Sequence, residues 1–561
     1  MPSRLLNLLS HELSNLHSAA LVLGASALAS QILALVRDRL LAHQFGAGAT
    51  LDVYYAAFRI PDFIFVSIAS FVSVSVLIPF LAKTNERGKE DTQAFLNTIF
   101  TLFSFLIVIV CAIMFFLVPT IASKVVPGFS DVALAEYITF TRILLLSPLF
   151  FGFSNLLTSI IQLEHKFLTS AFAPLLYNIG IISGVLLWYP IFGANGLVFG
   201  VVLGAFLHCM LQLVAVLRSG FVLRFTRAID FGLVRAVAIL SFPRTLALGA
   251  QQLVILVLVG FATSMYSGSI AVFNFAFNLQ SVPLSIIGVS YSTAAFPTLA
   301  KLFKKGARDE FIAHVATTAQ HILFWLLPAS SLFIILRAQI VRTILGSGHF
   351  DWTDTRLTAA LLALFAVSLM AQSLVLLFTR AYYAAGSTIK PLVMNVGVAI
   401  GTIFLALWFK HLFVTLPAFR NVLESLLRVQ EISGTAVLIL PLAFSVGSVI
   451  NALLHWISFT REFPGFTRSV LSTLTQVFVS SVIMGFVTYQ SLNVFVHIFD
   501  INTFWGIFLQ GFISGLFGII SGVVILKLFR NRELEDITKA LEQKFWRTKP
   551  IVPGTDEQLT S

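Results

Sequence analysis

Charge is scarce in this chain. Asp, Glu, Lys and Arg make up 11% of its 561 residues, where a soluble globular protein carries about 25%. Cysteine is scarcer still. Cys111 and Cys209 are the only two, both inside apolar runs, so there is neither a disulfide framework nor a metal-ligand spacing. The marks of common enzymes are missing as well: no HExxH, no GxSxG and no Walker loop. The longest non-membrane stretch is the tail from about residue 529, too short for a nucleotide-binding domain. A built-in ATPase is not expected, nor is an enzyme. A cleavable leader is not expected either, because the first apolar run is long, lacks an A-x-A site and continues into an ordinary span.

What fills the chain instead is hydrocarbon. Hydrophobic residues make up 58% and the mean hydropathy is +0.93. Apolar runs of about 20 residues or more recur from end to end, each long enough to cross a hydrocarbon core of roughly 30 Å. They do not alternate as the strands of a membrane β-barrel would. The fold class is therefore an all-α polytopic membrane protein. Fourteen spans are expected, near 16–41, 52–82, 93–118, 134–161, 169–191, 195–217, 236–263, 268–300, 311–336, 357–379, 389–409, 434–458, 469–494 and 503–528.

A net charge of +11 raises the question of nucleic acid, but the placement of the basic residues answers it otherwise. Of the 36 Lys and Arg, 24 fall on the side that carries both chain ends, seven on the opposite side and five inside spans. Cytoplasmic loops are the ones enriched in basic residues. Both termini are thus expected in the cytoplasm, with no nucleic-acid partner.

The chain repeats itself. VSVSVLIPFLAK (72–83) matches VSYSTAAFPTLAK (289–301), AFRI (57–60) matches AFNL (276–279), and PLLYNIGIISG (174–184) matches PLVMNVGVAIG (391–401). Three collinear matches at one spacing mean an internal duplication. Each copy holds six spans, an even number, so the copies are parallel and related by a pseudo-two-fold axis along the membrane normal. Parallel repeats of this kind are a transporter architecture in which two bundles rock about a central site. The expected division is 1–225 for the first lobe, 226–462 for the second, 463–530 for two added spans and 531–561 for a cytoplasmic tail. The second lobe carries an insertion near 410–432. There Val422, Leu423, Leu426, Leu427 and Ile432 are spaced for one helical face, which fits a helix on the outer membrane surface or a solvated loop.

Against this apolar background, LVRDRLLAHQFGAGATLDVYYAAFRIPDF (35–63) stands out for its charge. Each charge inside a span costs about 2.5–3.5 kcal/mol if unpaired. Arg37, Asp38 and Arg59 should therefore face one another, water or an anionic ligand. Asp38 is expected to orient an arginine, and Arg39 to snorkel to the interface. Arg59 has Asp62 one turn on, so a local ion pair is the structural alternative. FGAG (45–48) fits a tight external turn.

The same stretch resembles the first two spans of the MurJ-type lipid II flippases, members of the multidrug/oligosaccharidyl-lipid/polysaccharide exporter superfamily. LTSAFAPLLYNIGII (168–182), GSGHFDWTDTR (346–356) and TRAYYAAGSTIKP (379–391) resemble three further family motifs. The resemblance implies a flippase that moves an undecaprenyl-diphosphate-linked peptidoglycan precursor from the inner to the outer leaflet of the bacterial cytoplasmic membrane, among membrane lipids and beside the cell-wall synthesis machinery. By position it implies substrate contacts for Arg37, Asp38 and Asp52, the aspartate opening span 2. It also marks departures. The family's earlier span-1 arginine is Gln31, its span-8 arginine is Asn278, a nearby glutamate is Ser281, and the arginine after its P-N-x-L is Phe65; its E-G-A motif reads SIASF (67–71). Gln31 and Asn278 are kept as site positions. Some members bind Na+ with an acid four residues beyond the Asn395 position; here it is Ala399. No cofactor is implied, and a proton or the membrane potential is left as the driving force. Another lipid-linked or amphipathic substrate, or a degenerate scaffold, is the alternative reading.

Overall fold

The computed structural model describes residues 16–545 except 70–76, 78, 79, 82, 83, 85, 87, 165 and 166. Most of the repeat at 72–83 and part of 67–71 lie outside the described residues. All the regular structure among them is helical. Twelve helices are long and apolar enough to cross a membrane, and they fall on the expected spans 3 to 14, from Lys89–Val125 to Phe504–Leu528. Span 1 is the helix Leu16–Phe45. Span 2 begins as Ala49–Ala57 and continues as Arg59–Ala69 after a one-residue break at Phe58. We call the side on which span 1 begins the inner side.

The helix neighbours repeat with the sequence. Span 1 packs on span 5, span 5 on span 6, span 4 on span 6 and span 2 on span 4. In the second lobe, span 7 packs on span 11, 11 on 12, 10 on 12 and 8 on 10. One chain pattern has thus been used twice, in parallel. Spans 13 and 14 pair with each other and attach through span 9 and the short helix Arg337–Leu345. The amphipathic helix Arg532–Phe545 closes the inner end of this appendage.

Close approach is built from glycine where helices need it. A Cβ on Gly180 of span 5 would strike the backbone of Gly204 and Gly200 in span 6, so these helices touch through small residues. The tie between the lobes at the inner side is different. After span 6 ends at Arg218, residues 221–226 run extended beside span 3. The side chain of Gln93 donates to the carbonyl of Val222 (2.7 Å) and accepts from its N–H (3.3 Å). Asn97 accepts from the N–H of Arg224 (2.9 Å) and Thr101 from that of Thr226 (3.0 Å). The register is geometric: four helical residues rise about 6 Å and two extended residues about 6.6 Å. Span 3 thereby satisfies a backbone that has no helix of its own.

The apolar core shows where the lobes part. One cluster runs from the first lobe through the outer half of the second, including Tyr54, Val272, Phe365 and Leu438. The inner half of the second lobe has its own cluster, around Phe311, Phe378 and Phe459. Among the described residues, the inner parts of spans 8, 9, 10 and 12 thus keep a core apart from that of the first lobe, while span 7 stays with the shared core down to Val237. Span 8 shows the same change along one helix, Ser269–Lys304. Its residues 269–276 are all buried. After Pro283 it makes a π turn, Leu284–Val289, and beyond that turn Ser290 and Thr293 are exposed. Proline and π turns are where helices bend, and the two hydroxyls donate back to the carbonyls of Ser285 (3.2 Å) and Val289 (2.6 Å).

The insertion forms the helix Pro417–Leu427. Leu423 and Leu427 pack inward, while Val422 (66%) and Leu426 (72%) remain exposed, so the apolar stripe is split between protein and surroundings. Buried Glu424 anchors it, accepting from Arg420 (2.9 Å) and Thr435 (2.6 Å).

Candidate functional site

The charged residues of spans 1 and 2 meet span 8 at the seam between the lobes. Asp38 is buried and holds two partners from opposite lobes. Arg37 of span 1 donates to one carboxylate oxygen, with Nε at 2.9 Å and a second nitrogen at 2.8 Å. Asn278 of span 8 donates to the other oxygen at 3.0 Å. Arg37 also donates to Asn178 of span 5 (3.2 Å), whose own amide reaches Ser30 (3.3 Å) and the carbonyl of Pro174 (3.2 Å). In span 2, Arg59 donates to the side chain of Asn274 in span 8. Asn274 is fixed in turn by the carbonyl of Ile270 at 2.8 Å. The Arg59 Nε is buried with no partner among the described residues.

These contacts answer the expectations one by one. Arg37 and Asp38 face each other, and Asp38 orients the arginine as anticipated. Arg37 keeps 18% of its side chain exposed. Arg59 reaches across the seam to Asn274, with Asp62 as an electrostatic neighbour one turn on. Arg39 does not snorkel: it donates to the carbonyls of Thr343 (2.7 Å) and Ile344 (3.0 Å), capping the C-terminus of Arg337–Leu345, and lies over the Phe504 ring. The physical reason is proximity: free helix-end carbonyls offer a cation more than the interface does. Gln31 lies seven residues inward of Asp38, two turns along the same face of span 1. It is half-buried and makes no hydrogen bond among the described residues.

Asp52 sits farther out and does other work. Buried, it accepts from the N–H of Gly268 (2.6 Å) and of Ala271 (2.9 Å). It therefore caps the outer N-terminus of span 8 from the opposite lobe, where a carboxylate is favoured. The structure places it away from Arg37 and Arg59, with both oxygens occupied.

A second carboxylate mirrors this arrangement. Asp354, at the start of span 10 (Trp352–Ala384), accepts from the N–H of Ala47 at 3.0 Å, back in the turn before span 2. The N–H of His349 donates to the carbonyl of His43 (3.0 Å), and that of Gly128 to Thr263 (3.1 Å). Gly268 (φ +90°) sits so close that a Cβ would land on the Ala47 carbonyl, and Gly46 (φ +60°) is similarly held against His349. The outer ends of the lobes are clamped by backbone contacts on both sides of the seam.

Sequence reading missed Asn274 and Asp354 as partners. Asn274 gave a weaker signal, because an amide can meet its need with a carbonyl of its own helix, here that of Ile270. Asp354 lies inside the GSGHFDWTDTR motif and was findable there as an external acid, though not as a clamp.

Two parallel six-helix bundles, clamped at one end around a seam that carries arginines and amides, define a two-lobed membrane transporter. The structure of a lipid II flippase MurJ in its inward closed conformation superposes with a TM-score of 0.71 at 22% identity, covering 92% of this chain and all of that one. An inward-facing multidrug resistance MATE family transporter gives 0.63 at 12% identity over 78% of this chain and 96% of that one. At these identities the likeness shows the fold. The family model of the lipid II flippase MurJ matches residues 41–509, and the chain belongs to that family. Relatives include the lipid II flippase MurJ of Burkholderia cenocepacia, 24% identical over 80% of this chain and 84% of that one. A probable lipid II flippase MurJ of Bdellovibrio bacteriovorus is 27% identical over 82% and 87%.

Proposed function

We propose that this chain carries lipid II, an undecaprenyl-diphosphate-linked peptidoglycan precursor, from the inner to the outer leaflet of the bacterial cytoplasmic membrane by alternating access of its two lobes. The observation that carries the reading is the asymmetry of the seam among the described residues: outer ends joined by Asp52 and Asp354, and the inner parts of spans 8, 9, 10 and 12 in a core apart from the first lobe's. That is the arrangement of a transporter waiting for a headgroup from the inner side. Arg37 and Arg59 are the groups that would meet the diphosphate, since guanidinium forks donate bidentate hydrogen bonds to phosphate. Asp38, Gln31 and Asn278 hold or flank Arg37. Asp52 belongs to the clamp. Both termini lie in the cytoplasm on this reading, and no cofactor enters it. Sodium coupling would need the acid that Ala399 replaces, so a proton or the membrane potential drives the cycle.

One observation supports a second reading, a lipid-linked substrate with a less anionic head. Arg37 is paired with Asp38, and Asp62 lies one turn from Arg59 without bridging to it, so the four groups together bring no net charge to a diphosphate.

The test is complementation. In a bacterium depleted of its own lipid II flippase, expression of this chain should restore growth and return lipid II to the outer leaflet, and Arg37→Ala should not. Restoration by neither, with the chain inserted and stable in the membrane, favours the second reading.

A further inference from the structure

Far from the seam, the inner ends of spans 11 (Ile389–Thr415) and 12 (Thr435–Glu462) leave a cavity of about 460 Å3. Its lining is of two kinds. Lys390, Arg461, Glu462 and Ser458 form the polar end, and Met394, Leu454 and Ile457 the apolar wall. Lys390 pairs with Glu462 at 2.6 Å. Arg461 is exposed and makes no hydrogen bond or ion pair among the described residues. The polar end thus has a surplus of positive charge and one uncommitted guanidinium.

Outward of the cavity, its two lining faces run on along the helices and bound a groove. On span 11, residues 390, 394, 397 and 401 recur at helical spacing on one face; on span 12, residues 450, 454, 457 and 461 do the same. Positions 397 and 401 are glycines with nothing within 4 Å of where a Cβ would stand. Ile450 and Leu454 are 41% and 44% exposed. From Lys390 to Gly401 the groove is about 16 Å long at 1.5 Å per residue, the reach of an acyl chain.

The internal duplication shows that this space is not a default of the fold. Gly397 and Gly401 correspond to Gly180 and Gly184 at an offset of 217. In the first lobe those glycines are filled by the backbone of span 6, at Gly204, Gly200 and Gly196. In the second lobe the same positions stand open.

We propose that this groove seats an anionic glycerophospholipid of the inner leaflet, with its phosphate held by Arg461 and Lys390 and one acyl chain lying along Gly397 and Gly401. The chemistry is that of basic pockets between membrane helices, which select acidic headgroups on the cytoplasmic side, with hydrocarbon walls that also bury the chain.

Retention of lipid through purification tests this. The full chain is delipidated in detergent and incubated with phosphatidylglycerol or phosphatidylcholine of matched chains. Bound lipid is then counted by native mass spectrometry. Wild type should retain phosphatidylglycerol over phosphatidylcholine, and Lys390→Gln with Arg461→Gln should lower that retention on the order of tenfold. Glu462→Gln should raise it, by freeing Lys390. Gly401→Leu, which fills the groove and leaves the charges intact, should abolish retention while the thermal melt stays that of wild type. Equal retention of the two lipids, or retention unchanged in either the charge variant or Gly401→Leu, overturns the proposal. So does one-for-one displacement of phosphatidylglycerol by a polyprenyl phosphate, which would make the groove a seat for a polyprenyl chain.

Discussion

Arg37 and Arg59 solve the same problem in different ways. Arg37 has a carboxylate of its own, and removing it strands Asp38 with one neutral donor, Asn278. Breaking a buried pair in this way costs about 3–5 kcal/mol. Arg37→Ala should therefore lower both stability and transport. Arg37→Ala combined with Asp38→Asn removes the stranded charge; it should recover the melting temperature and leave precursor transport lost. Recovery of both would make the pair structural only. Arg59 donates to a neutral amide, has a spare donor and makes no ion pair with Asp62, so Arg59→Gln should cost less stability than Arg37→Ala and reduce transport in a leaflet-accessibility assay. The charged members of this site were legible because a charge in a span is costly and so advertises itself. Their partners were not. Asn274, Asn178 and Asp354 stand 215, 141 and 307 positions from the groups they meet, and the two amides are also satisfied by carbonyls of their own helices.

Helices of this chain were legible by length and hydropathy, and the duplication by three matched strings, because both are written in the chain's own order. What a repeat does not reveal is the environment each copy meets. Gly180 and Gly397 occupy equivalent places, yet one is pressed against span 6 and the other faces open space. Gly180→Ala should lower the melting temperature of the purified protein, since overpacking of this kind costs about 1–3 kcal/mol. Gly397→Ala should leave it unchanged or raise it slightly through helix propensity. The extended segment 221–226 was likewise invisible, because its support comes from polar side chains on span 3 spaced for a partner that periodicity does not name. Asn97→Ala withdraws the acceptor for the N–H of Arg224. Hydrogen exchange at Arg224 should then accelerate while that of the spans stays slow.

At the scale of the whole molecule, two halves are clamped at their outer ends, and the described inner parts of spans 8, 9, 10 and 12 keep a core of their own. The clamp is made largely of main-chain groups received by Asp52 and Asp354, so it holds geometry without requiring particular neighbours. Such contacts to a charged acceptor are worth about 1.5–3 kcal/mol each, within reach of the differential binding of a charged headgroup. Asp52→Ala should shift the population toward an outward-open form.

The most direct measurement is the distance across the outer seam. Val132 of the first lobe and Tyr266 of the second are both exposed there, and the native Cys111 and Cys209 are buried. Spin labels at Val132→Cys and Tyr266→Cys, read by double electron–electron resonance, should give one short distance in the protein alone. Lipid II should add a second, longer population, and Asp52→Ala should enlarge it. A single distance unchanged by lipid II and by Asp52→Ala would contradict movement of the lobes about this seam.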